Sequence, residues 1–298
     1  SDHQKVDNQW NRMIDALLEI PEVKEMLVRR LRTLMDQFLS PPGATEPSWI
    51  ENRIEELRAS LQPIVGGFSW TNNVNRIINE YLVERRQHLY VNHSIHNPGY
   101  PDNARIPDAQ VGNPTIVISH VEHNPASGIK DEEYLVLHNP NNTAVDISYW
   151  RIEGDITHTM TPGTVIPAGG YLYLSPDVPT FLARSTAPRG NQGLFVQGNY
   201  SGNLANEGGV IRLVAADNTV MDEASTILPG DYNYDQVVNE LDYLVWKAHF
   251  GSTTQLDADG NGDGKVDSKD FIVWRNNLGA TTLPPAAVAV AVEELDEP

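Results

Sequence analysis

Apolar residues recur at two different periods along this chain of 298 residues, and the change of period divides it. Up to about residue 96 they return every three to four positions, the spacing of amphipathic helices. Trp10, Met13, Ile14, Leu17 and Leu18 form the first stripe. Pro21 suits the first turn of a second helix, with Val23, Met26, Leu27, Leu31, Leu34, Met35 and Phe38 on one broad face and a stop before Pro41-Pro42-Gly43. A third helix is expected from a cap near Thr45, with Pro47 just inside and Trp49, Ile50, Ile54, Leu57 and Leu61 as its stripe. A fourth is expected from about Asn72 to Tyr90. Residues 1–96 therefore read as an α-helical segment, either a small bundle or the end of a larger helical domain.

Residues 97–114 are rich in Pro, Asn and Gly and read as a linker. From Thr115 the period falls to two. Short apolar runs at Ile116–Ile118, Tyr134–Leu137, Tyr171–Leu174 and Val210–Val214 alternate with turn signals such as Asn139-Pro140-Asn141-Asn142 and Ala168-Gly169-Gly170. Short strands at this spacing predict a β-sandwich over 115–228. Beyond Gly230 the chain repeats itself with a period of 28. Asp242-Tyr243-Leu244-Val245-Trp246-Lys247 aligns with Asp270-Phe271-Ile272-Val273-Trp274-Arg275, and both copies end in Gly, at Gly251 and Gly279. Residues 281–298, composed of Pro, Ala, Val and acid, are expected to be disordered. The organisation predicted is thus multi-domain: helical segment, β-sandwich and a small duplicated α module at 229–280.

Net charge sharpens this picture. It is −19, which argues against nucleic acid and anionic membranes as partners. Residues 229–298 hold 13 acidic against 4 basic side chains, an excess placed where cation ligands would be. There are no cysteines, which removes disulfides, thiolate metal sites and thiol catalysis. No run of eighteen apolar residues is present, so no membrane-inserted helix is expected. The chain begins without Met or a signal-peptide pattern and reads as a mature piece, or a piece cut from something longer.

Each repeat contains an EF-hand-type loop. Calcium takes six to eight hard oxygen ligands, which a twelve-residue loop supplies from positions 1, 3, 5, 7, 9 and 12. The second copy offers Asp259, Asn261, Asp263, the Lys265 carbonyl, Asp267 and Asp270, with Gly264 at the sharp turn in the sixth place. The first offers Asp231, Asn233, Asp235, the Val237 carbonyl, Asn239 and Asp242, with Gln236 in the sixth place. A left-handed turn costs Gln more than Gly, so the first loop is expected to be weaker or distorted. Two Ca²⁺ sites are predicted, the Asp259–Asp270 loop being the better formed. Whether an Asp at position 12 chelates with both oxygens is open at this level.

Residues 229–280 resemble the type I dockerins, duplicated calcium modules of secreted bacterial proteins. The resemblance implies a secreted or cell-surface location and a cohesin-like or other surface partner. The runs Glu133–Pro140, Ala144–Trp150, Pro162–Tyr171 and Ser119–Pro125 resemble the lamin tail domain, which implies an immunoglobulin-like sandwich serving as a binding or structural module, its ligand unknown. The helical segment, through Leu17–Val23, Arg29–Leu34 and Val83–Leu89, resembles the C-terminal end of CotH (spore-coat-protein-H) kinase-like domains. That resemblance implies a longer secreted atypical kinase whose catalytic residues precede Ser1. No Gly-rich phosphate loop or HRD-type motif occurs within the chain, so no catalytic residue is assigned.

Other clusters read as ordinary surface chemistry. His120, Glu122 and His123 would hold a metal only if they converged, yet His120 and Glu122 share a strand face and His123 lies at the turn. Glu122 and Glu133 would make a carboxylate pair only if strand-end acids were buried. His88, His93 and His96 fit a helix C-terminus, where their charge is tolerated.

Overall fold

The computed structural model describes residues 12–65, 68–100, 105–125, 127–204, 209–225 and 228–281. Its contacts fall into two compact units. Among the described residues, the first holds those up to 114 with 141–148 and 163–169, and the second holds the others.

In the first unit, α1 (Arg12–Leu18) leads into α2 (Pro21–Phe38), which begins on its proline. Next comes α3 (Trp49–Val65), whose cap is Ser48 rather than Thr45. Ser48 and Glu51 satisfy each other: the Glu51 carboxylate accepts from the Ser48 N–H at 2.7 Å, and the Ser48 hydroxyl accepts from the Glu51 N–H at 3.3 Å. That Ser-x-x-Glu box is a stronger start signal than the nearby threonine. The fourth predicted helix runs from Phe68 to Asn92 but is not uniform. The α-helical stretches α4 (Phe68–Arg76) and α5 (Leu82–Arg86) alternate with π turns at Ile77–Tyr81 and Gln87–Asn92. Apolar periodicity does not report such widened turns.

Among the described residues, the helices bury Met35, Leu39, Val74 and Leu82. None of α3's residues is buried, and Trp49, Leu57, Leu61 and Ile64 are exposed. Helix α2 instead packs on two short strands, β3 (Val145–Asp146) and β6 (Val165–Ile166), which pair antiparallel. Charged side chains make this contact. Arg30 pairs with the buried Asp146 carboxylate at 3.1 Å and donates to the Ser148 hydroxyl. Glu25 accepts from the N–H groups of Ala144 and Ala168. The stretch expected as a linker is tied to the same helix: Arg29 and Arg32 donate to the carbonyls of Asp108 and Pro107, and Gln110 exchanges two hydrogen bonds with the Asp146 main chain.

Arg86 holds three helices together. Its guanidinium donates to the Leu39 carbonyl just past α2, to both Glu51 oxygens on α3 and to the Ser48 hydroxyl. This partner pulls the Glu51 carboxyl down to about 2 from its ordinary 4.5. A depressed acid contributes stability that is fully present above its unfolded value and is lost as pH falls through the folded one. The melting midpoint of this unit should therefore hold from neutrality to about pH 4.5 and fall between there and pH 2. Glu51→Gln should remove that dependence, and circular dichroism melts across this range check it.

The second unit carries the sandwich. One sheet has the order β1–β2–β7–β8: β1 (Val117–Glu122), β2 (Tyr134–His138), β7 (Tyr171–Ser175) and β8 (Val196–Gly198), the last pair parallel. The other has β11–β10–β4–β5–β9: β4 (Arg151–Gly154), β5 (Ile156–Thr159), β9 (Ser201–Gly202), β10 (Val210–Val214) and β11 (Val220–Ser225). Register places Leu135 opposite Leu174 and Leu137 opposite Leu172 on one face, all fully buried. Ile152 and Leu213 are paired likewise in the second sheet. The opposite face of β2 is also covered, because Tyr134 and Val136 pack with Phe181 of the short helix α6 (Val178–Leu182). Trp150, immediately before β4, is buried.

The repeat at the end of the chain forms two helices, α7 (Glu240–His249) and α8 (Ser268–Asn277), each directly after its loop. Among the described residues, no helix is long and apolar enough to cross a membrane. The expected disordered tail lies, beyond Thr281, outside the described residues.

Candidate metal centre

The two loops fold alike, position for position. The carboxylate in the first position accepts two main-chain N–H groups: Asp231 from Asp235 and Gln236, and Asp259 from Asp263 and Gly264, at 2.8–3.1 Å. The carboxylate in position 12 accepts from positions 3 and 9: Asp242 from Asn233 and Asn239, and Asp270 from Asn261 and Asp267. The position-9 side chains, Asn239 and Asp267, cap the helices that follow by accepting from Leu241 and Lys269. Together with position 12 each completes a capping box. Loop and helix start are thus one hydrogen-bonded unit in both copies.

The first loop is not distorted. Gln236 takes φ +70° where Gly264 takes +85°, and Tyr234 takes +61° where Gly262 takes +70°. The loop adopts its turn despite the side chain, and the Gln236 N–H still reaches Asp231 at 2.8 Å.

Between the copies, contacts cross reciprocally. The Trp246 indole donates to the Asp267 carbonyl at 2.8 Å, and the Trp274 indole donates to the Asn239 carbonyl at 2.7 Å. Val238 exchanges main-chain bonds with Gly279 and Ala280, and Val266 does the same with Gly251 and Ser252. Both valines are fully buried. One contact has no mirror image. The Tyr232 hydroxyl donates to the Asp270 carbonyl at 2.6 Å and fills the space beside Gly260, where an added Cβ would lie 2.4 Å from it. The tryptophans were legible from the repeat. The valines, eighth in each loop, also recur in register, but nothing in the sequence says that they pair across it.

Asp242 and Asp270 are 0 % exposed and Asp231 is 6 % exposed. Burial, and then the neighbouring Asp242 charge, push the Asp231 carboxyl up to about 6. Asp263 is held below the ordinary carboxylate range by the Lys269 ammonium at 2.7 Å. In both copies the position-3 amide donates to the position-5 carboxylate, Asn233 to Asp235 and Asn261 to Asp263. The Val237 carbonyl accepts from the Asn239 amide, and Lys265 stands exposed in the seventh place of its loop. Among the described residues, no three His, Asp or Glu side chains gather into a metal cluster by themselves. The donor sets nevertheless fit a hard divalent cation. Every ligand is oxygen, part of it amide or main chain, and the paired carboxylates of positions 1 and 12 have no basic side chain ion-paired to them among the described residues.

The remaining clusters do not assemble. His120 and His123 are both depressed by burial, His120 to about 4, and neither joins Glu122 in a three-ligand centre. Glu133 is buried, which raises its carboxyl to about 7; it accepts from the Leu204 N–H rather than sharing a proton with Glu122. Strand alternation gave no sign of this burial, because the covering segment comes from seventy residues further along.

Comparison with known proteins agrees with two of the three resemblances. Residues 109–227 match the family model described as Lamin Tail Domain, and residues 229–279 match the Dockerin type I domain. Type I dockerins are calcium-binding, which supports Ca²⁺ as the ion in kind. Neither match reaches residues 7–92, so the CotH resemblance gains nothing from them. No curated protein matches the chain. Among solved structures, the chain is similar to one described as "Type II cohesin-dockerin domain from Bacteroides cellolosolvens", with 36% identity over 18% of this chain and 90% of that one and a TM-score of 0.18. At that score the likeness carries no argument about the fold.

Proposed function

We propose that this chain is a non-catalytic docking region of a secreted protein, anchored through a two-calcium module at 229–280 that engages a cohesin-type domain. What supports this reading is the recurrence of one loop-and-cap network at an interval of 28 residues, with each tryptophan bonded to the other copy's loop. Ion ligands would come from Asp231, Asn233, Asp235, Val237, Asn239 and Asp242 in one loop, and from Asp259, Asn261, Asp263, Lys265, Asp267 and Asp270 in the other. Calcium supplies the positive charge that buried aspartates otherwise lack. With that repulsion relieved, the loops hold α7 and α8 in one geometry, and their outer faces become a fixed surface. Leu241, Leu244, Phe250, Ile272 and Leu278 are each about half exposed on and just beyond these helices. They are the apolar contacts we assign to the partner. The lamin-tail sandwich acts as a spacer or as a second binding module.

Calorimetric titration of the full chain should give two Ca²⁺ ions per chain, and chelator should lower the melting transition of the last segment by more than 10 °C, the shift expected for about 2 kcal/mol or more in so small a module. An unchanged midpoint with no heat of binding would sink the reading. The rival reading, part of a working CotH-like kinase, rests on residues 7–92 alone; nucleotide binding by this chain would favour it.

A further inference from the structure

The two loops share a backbone but not their surroundings. Asp231 and Gln236 in the first loop are buried, whereas Asp259 and Gly264 at the corresponding places of the second are half-buried and exposed. What covers the first loop is the end of sandwich strand β1. The Asn124 side-chain amide donates to the Tyr234 carbonyl at 3.1 Å, and the Gln236 amide donates to the Glu122 carboxylate at 3.4 Å. Glu122 in turn accepts from the Asn124 N–H at 3.3 Å, so the strand end presents one preformed acceptor and one donor.

Gln236 is the departure from the loop pattern. It holds φ +70° and is only 4 % exposed, although a glycine would take that conformation without strain. Its main-chain N–H is bonded to Asp231, the first proposed ligand, and its side chain to Glu122. One residue therefore connects the inside of the loop to the sandwich. Tyr234, bonded to Asn124, lies between the proposed ligands Asn233 and Asp235.

Resting on the calcium reading above, we infer that Gln236, Glu122 and Asn124 are positioning residues that seat the first calcium loop on the sandwich, so that ion binding there and order in β1 are coupled, while the second loop binds independently. The physical basis is reciprocity. If the ion holds Tyr234 and Gln236 where they meet β1, then β1 raises the affinity of that loop by the same factor that the ion protects β1. Gln stands in place of Gly because its amide spans the gap, which outweighs the strain of the left-handed turn. The two repeats, alike in sequence, thus have different duties: one is a joint within the chain and the other is left open.

Two sandwich variants that leave both loop sequences intact test this, Asn124→Ala and the double variant Glu122→Ala/Asn124→Ala, in the full chain. Calorimetry should show one of the two sites weakened by about three- to tenfold, the scale of one or two lost hydrogen bonds, and the other unchanged. Hydrogen exchange should show calcium slowing the amides of Val117–Glu122 in the wild type. In Gln236→Gly that protection should vanish while two ions still bind. Wild-type affinity at both sites in the double variant overturns the inference, and so does β1 protection that ignores calcium or survives Gln236→Gly. Those results leave the calcium module standing, whereas absence of any calcium binding removes both readings together.

Discussion

Asp270→Ala should abolish the folding transition of the terminal module even in millimolar calcium, while the sandwich still melts as its own strands dictate. Asp270 is 0 % exposed, and its carboxylate accepts from Asn261 at 3.1 Å and Asp267 at 2.7 Å. Alanine takes the acceptor from both half-covered N–H groups, at about 0.5–1.5 kcal/mol each. It also removes half of the capping box that starts α8, worth about 1 kcal/mol. A module of this size has a total stability of only about 3–8 kcal/mol, so the loss is comparable to the whole. The twelfth proposed ligand goes with it, so no compensating ion energy is available. Asp270→Asn separates the two effects. It keeps one of the two acceptor oxygens and loses the charge, so the module should stay folded at low temperature, less stable than wild type, with its calcium affinity in the second loop reduced about a hundredfold. Calorimetry and near-ultraviolet circular dichroism of the Trp246 and Trp274 environment read both outcomes. A wild-type calcium isotherm in Asp270→Ala would remove this residue from the site.

The second large effect lies far from the loops. Arg86→Ala should lower the stability of the helical unit by about 3–5 kcal/mol, because it leaves the Glu51 carboxylate half of a largely buried pair. The side chain also caps the Leu39 carbonyl and holds the Ser48 hydroxyl, so α2, α3 and α5 lose a shared tie at once. Arg86→Lys keeps the charge but not the planar fork, and one ammonium cannot reach Leu39 and both Glu51 oxygens together. It should therefore recover less than half of the loss. Chemical denaturation followed at 222 nm measures both variants, and equal midpoints for wild type and Arg86→Ala would show the tie to be idle. Calcium affinity should not change in either, which separates this effect from the first.

These expectations draw on different levels of the chain. The two hydrogen-bonded loops were legible because their pattern is local: each is contained in twelve consecutive residues, and the duplication at 28 residues checks each position against its twin. Four of the five longer strands were legible from alternation, β11 being the exception, and α2 was legible from its proline and stripe. The two-residue strands β3 and β6 were not, since a strand that short has no period to detect. Nor was the burial of Arg29 and Asp146 apparent. Charge patterning places such residues in water, and only a partner from a distant segment, the Asp108 carbonyl for one and Arg30 for the other, makes their burial tolerable.

By itself the sequence determined the order of modules, the place of both repeated loops, the aromatic helices behind them and the absence of thiol chemistry, all of which depend on residues close together in the chain. Tertiary structure alone decided which side of the module is covered, why Gln236 is tolerated in a left-handed turn, and how each tryptophan finds the opposite loop. Those outcomes join groups 21 to 114 residues apart. A hydrogen bond across such a distance is set by how folded surfaces meet, and no local propensity encodes it.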